Sequence, residues 1–169
     1  MPDYFDPVTN KQVRGTLVAH RRNFILSPDQ WTTLNGVYHT FVWNEIKFDI
    51  ANRDTLPEVE GLYFFTVSPK RTSAMFLNYL FYVGETGNIN TRYSNYLDKI
   101  DNPKSGQYKV YTIIDDFPDD LYFHYVELAG HDMVKRRIIE NVFLTGYIPP
   151  INTKYPQGLQ SIVLAAYGQ

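Results

Sequence analysis

The chain has 169 residues, 44% hydrophobic and 20% charged, with a formal net charge of −2 and a pI near 6.1. That length fits one domain, or one domain with an extension, and is enough to bury a core. No apolar run approaches the ~18 residues that span a bilayer, no basic-then-apolar leader opens the chain, and the absence of cysteine excludes disulfides, thiolate zinc sites and a Cys nucleophile. A cytoplasmic protein with no membrane partner is expected, and its oligomeric state is not readable. The four histidines, His20, His39, His124 and His131, lack metal-ligand spacing such as HExxH.

The acidic balance argues against a non-specific nucleic-acid coat, but the charge is uneven. Lys11, Arg14, Arg21 and Arg22 fall in a stretch with no acid, Lys135-Arg136-Arg137 and Lys70-Arg71 form two further clusters, and four Asp gather in residues 115–120. One basic face is compatible with this pattern, and so is ordinary solvated charge. The 14 Tyr and 11 Phe read mainly as core and sheet residues that combine packing area with a polar handle.

In chain order, residues 1–15 read as an arm and residues 16–26 as a strand. Ser27-Pro28-Asp29-Gln30 is a helix start, with Ser as cap and Pro at the first helical position. The helix is expected to reach about Leu34 and stop at Asn35-Gly36. Residues 37–43 and 46–50 look like two strands of a hairpin around Asn44-Glu45, and residues 51–60 like a connection. Residues 61–67, Gly-Leu-Tyr-Phe-Phe-Thr-Val, are a compact strand; residues 68–78 are a loop, and residues 79–83 the next strand, ending on Gly84. Thr86-Gly87-Asn88 is a turn able to cap a helix in which Ile89, Tyr93, Tyr96, Leu97 and Ile100 share one face. Arg92 falls at the edge of that face. Residues 106–114 are ambiguous between helix and strand, and residues 121–128 form a strand. Asp132 caps a last helix that runs to about Thr145, with Gly146 as its stop and Pro149-Pro150 beyond.

Set on this scaffold, in order, are Gly61-Leu62-Tyr63, Tyr82-Val83-Gly84, Arg92, Glu140 and Asn152. In this arrangement the chain resembles the GIY-YIG nuclease family. The string Tyr-Val-Gly-x-Thr-Gly-Asn-Ile-x-x-Arg-x-x-x-Tyr, from Tyr82 to Tyr96, looks most like the N-terminal nuclease domain of bacterial excision-repair enzymes. Glu140 followed by Pro149, Pro150 and Asn152 looks like the family's closing segment. The tripeptides are weak singly; five elements in order on suitable structure make a joint signal.

The resemblance spans residues 59–155 and implies an α+β fold, a small antiparallel sheet flanked by helices. Residues 1–58 would be an N-terminal extension, a short helix and β-hairpin packed on the core, and residues 156–169 a C-terminal tail. It implies a metal-dependent endonuclease that hydrolyses nucleic acid, DNA in the first instance, with Mg²⁺ or Mn²⁺ held by Glu140. Tyr63 would activate the attacking water as base or relay, although a phenol titrating near pH ~10 needs help to ionise. Tyr82 would hold the water or phosphate, and Arg92 the non-bridging oxygens, where its planar fork fits. Tyr96 takes a place that other members give to His, and Asn152 would orient the Glu-bearing segment or the phosphate.

Plainer roles exist for each residue taken alone. Tyr63 and Tyr82 suit strand packing, and Arg92 suits a helix surface. Arg136, four residues before Glu140, could pair with it for ~0.2–0.5 kcal/mol. Phe143 and Leu144 nevertheless put Glu140 on a partly apolar stripe, where a carboxylate needs a partner or a metal. Three features depart from the family pattern. Tyr63 and Tyr82 are nineteen positions apart, an insertion around residues 68–78; Leu62 and Val83 fill the middles of the two motifs; and Glu85 stands where the excision-repair subgroup has Lys. An acid there repels phosphate unless it binds metal or points away. A fold-retaining module that binds or regulates without cleaving, and a protein-interaction domain using the N-terminal aromatics, are the alternative readings.

Overall fold

The computed structural model describes residues 25, 27–68, 78–98 and 108–167. They form α1 (Pro28–Tyr38), β1 (Asn44–Lys47), a 3-10 helix (Ile50–Thr55), β2 (Gly61–Val67), β3 (Tyr79–Thr86), α2 (Ile89–Leu97), α3 (Tyr108–Asp116), β4 (Leu121–Glu127), α4 (Met133–Tyr147) and α5 (Gln160–Tyr167). The fold is α+β. Its four strands make one antiparallel sheet in the order β1-β4-β2-β3, with helices on both faces.

Strand alternation sorts the side chains into two cores. Tyr63, Phe65 and Val67 of β2 lie with Leu121, Phe123 and Tyr125 of β4 under α2 and α3, which contribute Ile89, Tyr93, Tyr96, Val110 and Ile113. On the opposite face Leu62, Val83 and Val126 meet Leu34 of α1, Ile139, Phe143 and Leu144 of α4, and Val163 of α5. The aromatic abundance is mostly consumed here. Phe123 stacks on Tyr63 at 5.3 Å between ring centroids, and Phe65 meets Tyr96 edge-on at 5.1 Å.

The second half of the chain follows the sequence pattern closely. Asn88 caps α2 by accepting the Thr91 N–H at 2.7 Å, and Asp132 caps α4 by accepting the Lys135 N–H at 2.8 Å. Residues 108–116, ambiguous by composition, are helical because Val110, Tyr111, Ile113 and Ile114 form one buried stripe. Gly146 does not end α4. The helix runs on to Tyr147 and closes on Ile148 in the left-handed region at φ 46°, its N–H returning to Leu144. Gly146 serves close packing instead: a Cβ there would collide with Leu34, and its carbonyl accepts the Trp31 indole N–H at 2.8 Å.

The expected hairpin between residues 37–43 and 46–50 does not form. Residues 37 and 38 extend α1 through Gly36, residues 39–43 are irregular, and residues 50–55 are 3-10 helix. Only residues 44–47 are a strand, and β1 pairs with β4, Asn44 opposite Tyr125 and Lys47 opposite Tyr122. A long antiparallel partner with a buried face stabilises a short strand better than a two-stranded ribbon can. Ser27 stands at the α1 cap position without a capping bond from its side chain. The tail is not bare, since it carries α5. The expected strand at 16–26 apart from Ile25, which is in no regular element, the basic segment 11–22, the pair Lys70-Arg71 and Ile100 lie outside the described residues.

With the order β1-β4-β2-β3, β3 is an edge strand, and its outward N–H and C=O groups need partners. The segment after α4 supplies three of them. Ile151 donates its N–H to the Phe81 carbonyl at 3.2 Å. The Asn152 side chain accepts the Val83 N–H at 3.0 Å and donates to the Val83 carbonyl at 2.7 Å. Asn152 is 4% exposed, so both bonds are shielded from solvent. Asn152→Ala is expected to lower stability by about 2–4 kcal/mol, because it orphans a buried donor and a buried acceptor together. Urea unfolding checks this, and a change below ~0.5 kcal/mol, the usual surface value, refutes the clamp.

Candidate active site

Tyr63 and Tyr82 come from neighbouring strands with their side chains on one face of the sheet. In the register Tyr63 faces Gly84 and Tyr82 faces Phe65. The Tyr63 ring lies over Gly84 so closely that a methyl there would stand 2.5 Å from the phenolic oxygen. Gly61 is equally constrained, because a Cβ would collide with the Val126 carbonyl and Ile89. Both glycines of the paired tripeptides thus have a packing reason: one admits an aromatic ring and the other a helix.

The Tyr63 hydroxyl is 3.0 Å from that of Tyr96, both residues are about 1% exposed, and Tyr82 interacts with both. Arg92, one turn before Tyr96 on α2, sets its Cζ 6.0 Å from the Tyr63 ring centroid, within cation–π reach. Among the described residues the guanidinium has no hydrogen bond or ion pair. Burial raises the Tyr63 pKa, as does the negative charge that Tyr82 and Tyr96 would carry as phenolates, against the pull of Arg92. Burial also raises Tyr82 and Tyr96. All three phenols are therefore held neutral at physiological pH, and none is a resting base. Arg92 is held more firmly protonated by Tyr63 first, with burial opposing.

Glu140 arrives from the other face of the sheet, on α4, and reaches round the β3 edge. Its Oε1 accepts the backbone N–H of Glu85 at 3.2 Å, and among the described residues Oε2 makes no hydrogen bond. Burial, then the charge of Glu85, raises its pKa to about 7, against the Glu85 N–H, Arg137 and Arg92. The expected alternative, an Arg136–Glu140 pair, does not form. Arg136 is buried and donates to Glu85 Oε2 at 3.0 Å and to the His131 carbonyl at 2.5 Å.

Glu85 also departs from expectation. Its side chain lies on the opposite face from Tyr82, as strand alternation requires. Arg136 takes one carboxylate oxygen, and Arg137 lies 3.7 Å from the other. Its charge is matched inside the protein and does not face the tyrosines bare. Asn152 is committed at both ends of its amide to Val83, which makes it a positioning residue and leaves nothing for a phosphate.

A cleft of ≈ 650 Å³ opens at this edge, lined among others by Tyr82, Glu85, Glu140 and Asn152, and by Lys109, Arg137 and Lys154. Tyr63 and Tyr96 sit behind its wall. Arg92 is not part of the lining, yet it is near enough to act electrostatically on Tyr63, Tyr82, Tyr96 and Glu140. The sequence reading missed Lys109 and Lys154. Lys154 had a signal, since it follows Asn152 by two along the segment that borders β3; Lys109 lay in the stretch where helix and strand could not be told apart.

Among the described residues no group of three or more His, Asp or Glu could hold a metal ion. One carboxylate with a disengaged oxygen does not make a structural zinc site. It does fit a hard cation that takes its remaining ligands from water and phosphate, as Mg²⁺ usually does. Comparison with protein-family models, curated proteins and solved structures finds no match. Among the described residues no helix is long and apolar enough to cross a membrane.

The raised Glu140 pKa has a thermodynamic consequence. The folded state binds the proton more tightly than the unfolded chain. Its contribution is fully present below the ordinary value of 4.5 and is lost as pH rises through about 7. Glu140→Gln keeps the acceptor for the Glu85 N–H and removes the charge. The variant is expected to be more stable than the parent by about 1–3 kcal/mol at pH 8 and equal to it at pH 4. Denaturation at the two pH values tests this, and equal gains at both would show that the carboxyl is not perturbed.

Proposed function

We propose that this chain is a metal-dependent nuclease that hydrolyses phosphodiester bonds of nucleic acid, DNA in the first instance. The observation that supports this most is a convergence. Tyr63, Tyr82, Arg92, Tyr96 and Glu140 are spread over 78 positions of sequence and four elements, yet they interact around one sheet edge. Packing alone needs neither a guanidinium that no described residue pairs nor a carboxylate with one oxygen free of described partners beside three interacting hydroxyls. The pairing of Glu85 with Arg136 and Arg137 removes the acid that would have opposed a phosphate.

In this reading Arg92 binds the non-bridging oxygens of the scissile phosphate and stabilises the charge that grows there. Tyr82, in the cleft wall, donates its hydroxyl to the phosphate or orients the attacking water. Tyr63 and Tyr96 form a neutral relay behind it, which fixes the Tyr82 hydroxyl and gives a proton a path without a resting phenolate. Glu140 is the residue that would hold Mg²⁺ or Mn²⁺. Such a cation offsets phosphate charge and makes a bound water more acidic. Asn152 keeps the β3 edge, and hence the Glu85 N–H that holds Glu140, in place.

Cleavage of a panel of DNA and RNA substrates, with Mg²⁺ or Mn²⁺ and with chelator, tests the reading. Arg92→Ala and Glu140→Gln are each expected to lose ~10²–10³-fold in rate, the usual effect of removing one preorganised charge partner. Arg92→Ala should also weaken binding, whereas Glu140→Gln should bind nearly as the parent does. Parent-level cleavage by Glu140→Gln would sink the mechanism. Binding without cleavage by the parent on every substrate would favour the binding-module reading instead.

A further inference from the structure

The cleft holds more positive charge than one scissile phosphate needs. Lys109 of α3, Arg137 of α4 and Lys154 of the closing segment all line it, and the three come from separate parts of the chain. Its two acids do not cancel them. Glu85 is engaged by Arg136 on one oxygen, and Arg137 lies at 3.7 Å from the other with its own side chain 60% exposed. Glu140 spends one oxygen on a backbone N–H. Among the described residues neither lysine has an acidic partner. Partial burial lowers the Lys109 pKa, and a nearby anion would offset that effect.

Arg92 lies outside this lining, on the side of the tyrosines. Cations therefore flank the Tyr82–Glu140 pair on two sides. A volume of ≈ 650 Å³ is in the range of sites that enclose whole small ligands, ~300–1,000 Å³, and exceeds what a single phosphate group requires. We infer that Lys109, Arg137 and Lys154 form a second phosphate subsite, which binds the neighbouring phosphate of the strand whose scissile phosphate meets Arg92. The inference rests on the nuclease reading and adds to it a substrate requirement: at least two consecutive phosphates, in a strand separated enough for one nucleotide to enter the cleft. Arg137 borders this phosphate while keeping its contact with Glu85 at 3.7 Å, so the acid stays matched, and the two lysines supply the uncommitted charge.

The test compares the parent with a Lys109→Ala, Lys154→Ala variant, which leaves the Arg137–Glu85 contact intact, on two single-stranded DNA probes. One is a dinucleotide with a single phosphodiester and the other a hexanucleotide. The variant is expected to raise KM for the hexanucleotide by at least ~10-fold, about one decade of affinity, with dinucleotide turnover close to the parent's. The salt dependence of hexanucleotide binding should flatten, since each lost single-strand phosphate contact removes ~0.7 from the log–log slope. A variant that matches the parent on both probes, or loses equally on both, overturns the subsite and leaves the nuclease reading standing. Where the parent binds the hexanucleotide without cleaving it, the salt slope alone decides the subsite, and the nuclease reading is decided by the substrate panel. A parent that binds neither probe overturns the subsite. Thermal unfolding of the variant, expected within a few degrees of the parent because these side chains are not core, separates loss of binding from loss of fold.

Discussion

The unpaired edge of β3 is the constraint on which the rest of this molecule depends. A sheet of order β1-β4-β2-β3 leaves the outward groups of Phe81, Val83 and Glu85 without a strand partner. Buried main-chain groups must find partners elsewhere. Here Ile151 serves the first, Asn152 the second and Glu140 the third. The device that closes the sheet against further strand addition also brings the end of the chain and a helix from the far face to the tyrosines. Architecture and candidate chemistry share the same hydrogen bonds.

The two faces of the sheet divide the labour. The α2/α3 face supplies the hydroxyls and Arg92 within an aromatic core that keeps the phenols neutral and rigid. The α4 face supplies Glu140 and two arginines, and the arginines settle the charge of Glu85. Arg136 is nearly as buried as the core; one bond holds Glu85, and a second anchors the guanidinium on the His131 carbonyl. Truncating either partner would leave a charge stranded in a low-dielectric environment, a larger effect than the pair's own attraction. The two faces meet only at the open edge, where water can enter.

How much of this was legible in the sequence depended on whether local signals carried it. Asn88 and Asp132 announced their helices because a cap is a contact within four residues. Gly61–Val67 announced its strand because both faces are buried and the run is unbroken. The hairpin at residues 37–50 misled because its aromatics, Tyr38, Phe41 and Trp43, are apolar for a different reason: they pack around Phe143 of α4. Nothing local marks such a partner about a hundred residues away. Gly146 misled in the same way, since its lack of a side chain answers to Leu34 and not to a helix end. Of the candidate site, the side chains were readable as an ordered pattern. Their couplings were not: the exchange of Arg136 from Glu140 to Glu85, the double commitment of Asn152, and the lysines opposite all depend on which residues the edge brings together.

The bond between the Glu85 N–H and Glu140 has one more implication. It is made by main chain, so the identity of residue 85 does not decide whether Glu140 is held. Lysine, alanine or glutamate would present the same donor at the same place, and only proline, which has no N–H, would withdraw it. The side chain at 85 is thereby released to answer to its own surroundings, and in this protein those surroundings are two arginines. A position can look incompatible with a motif when read as a letter, yet still deliver what the site takes from it, because what the site takes is a peptide group.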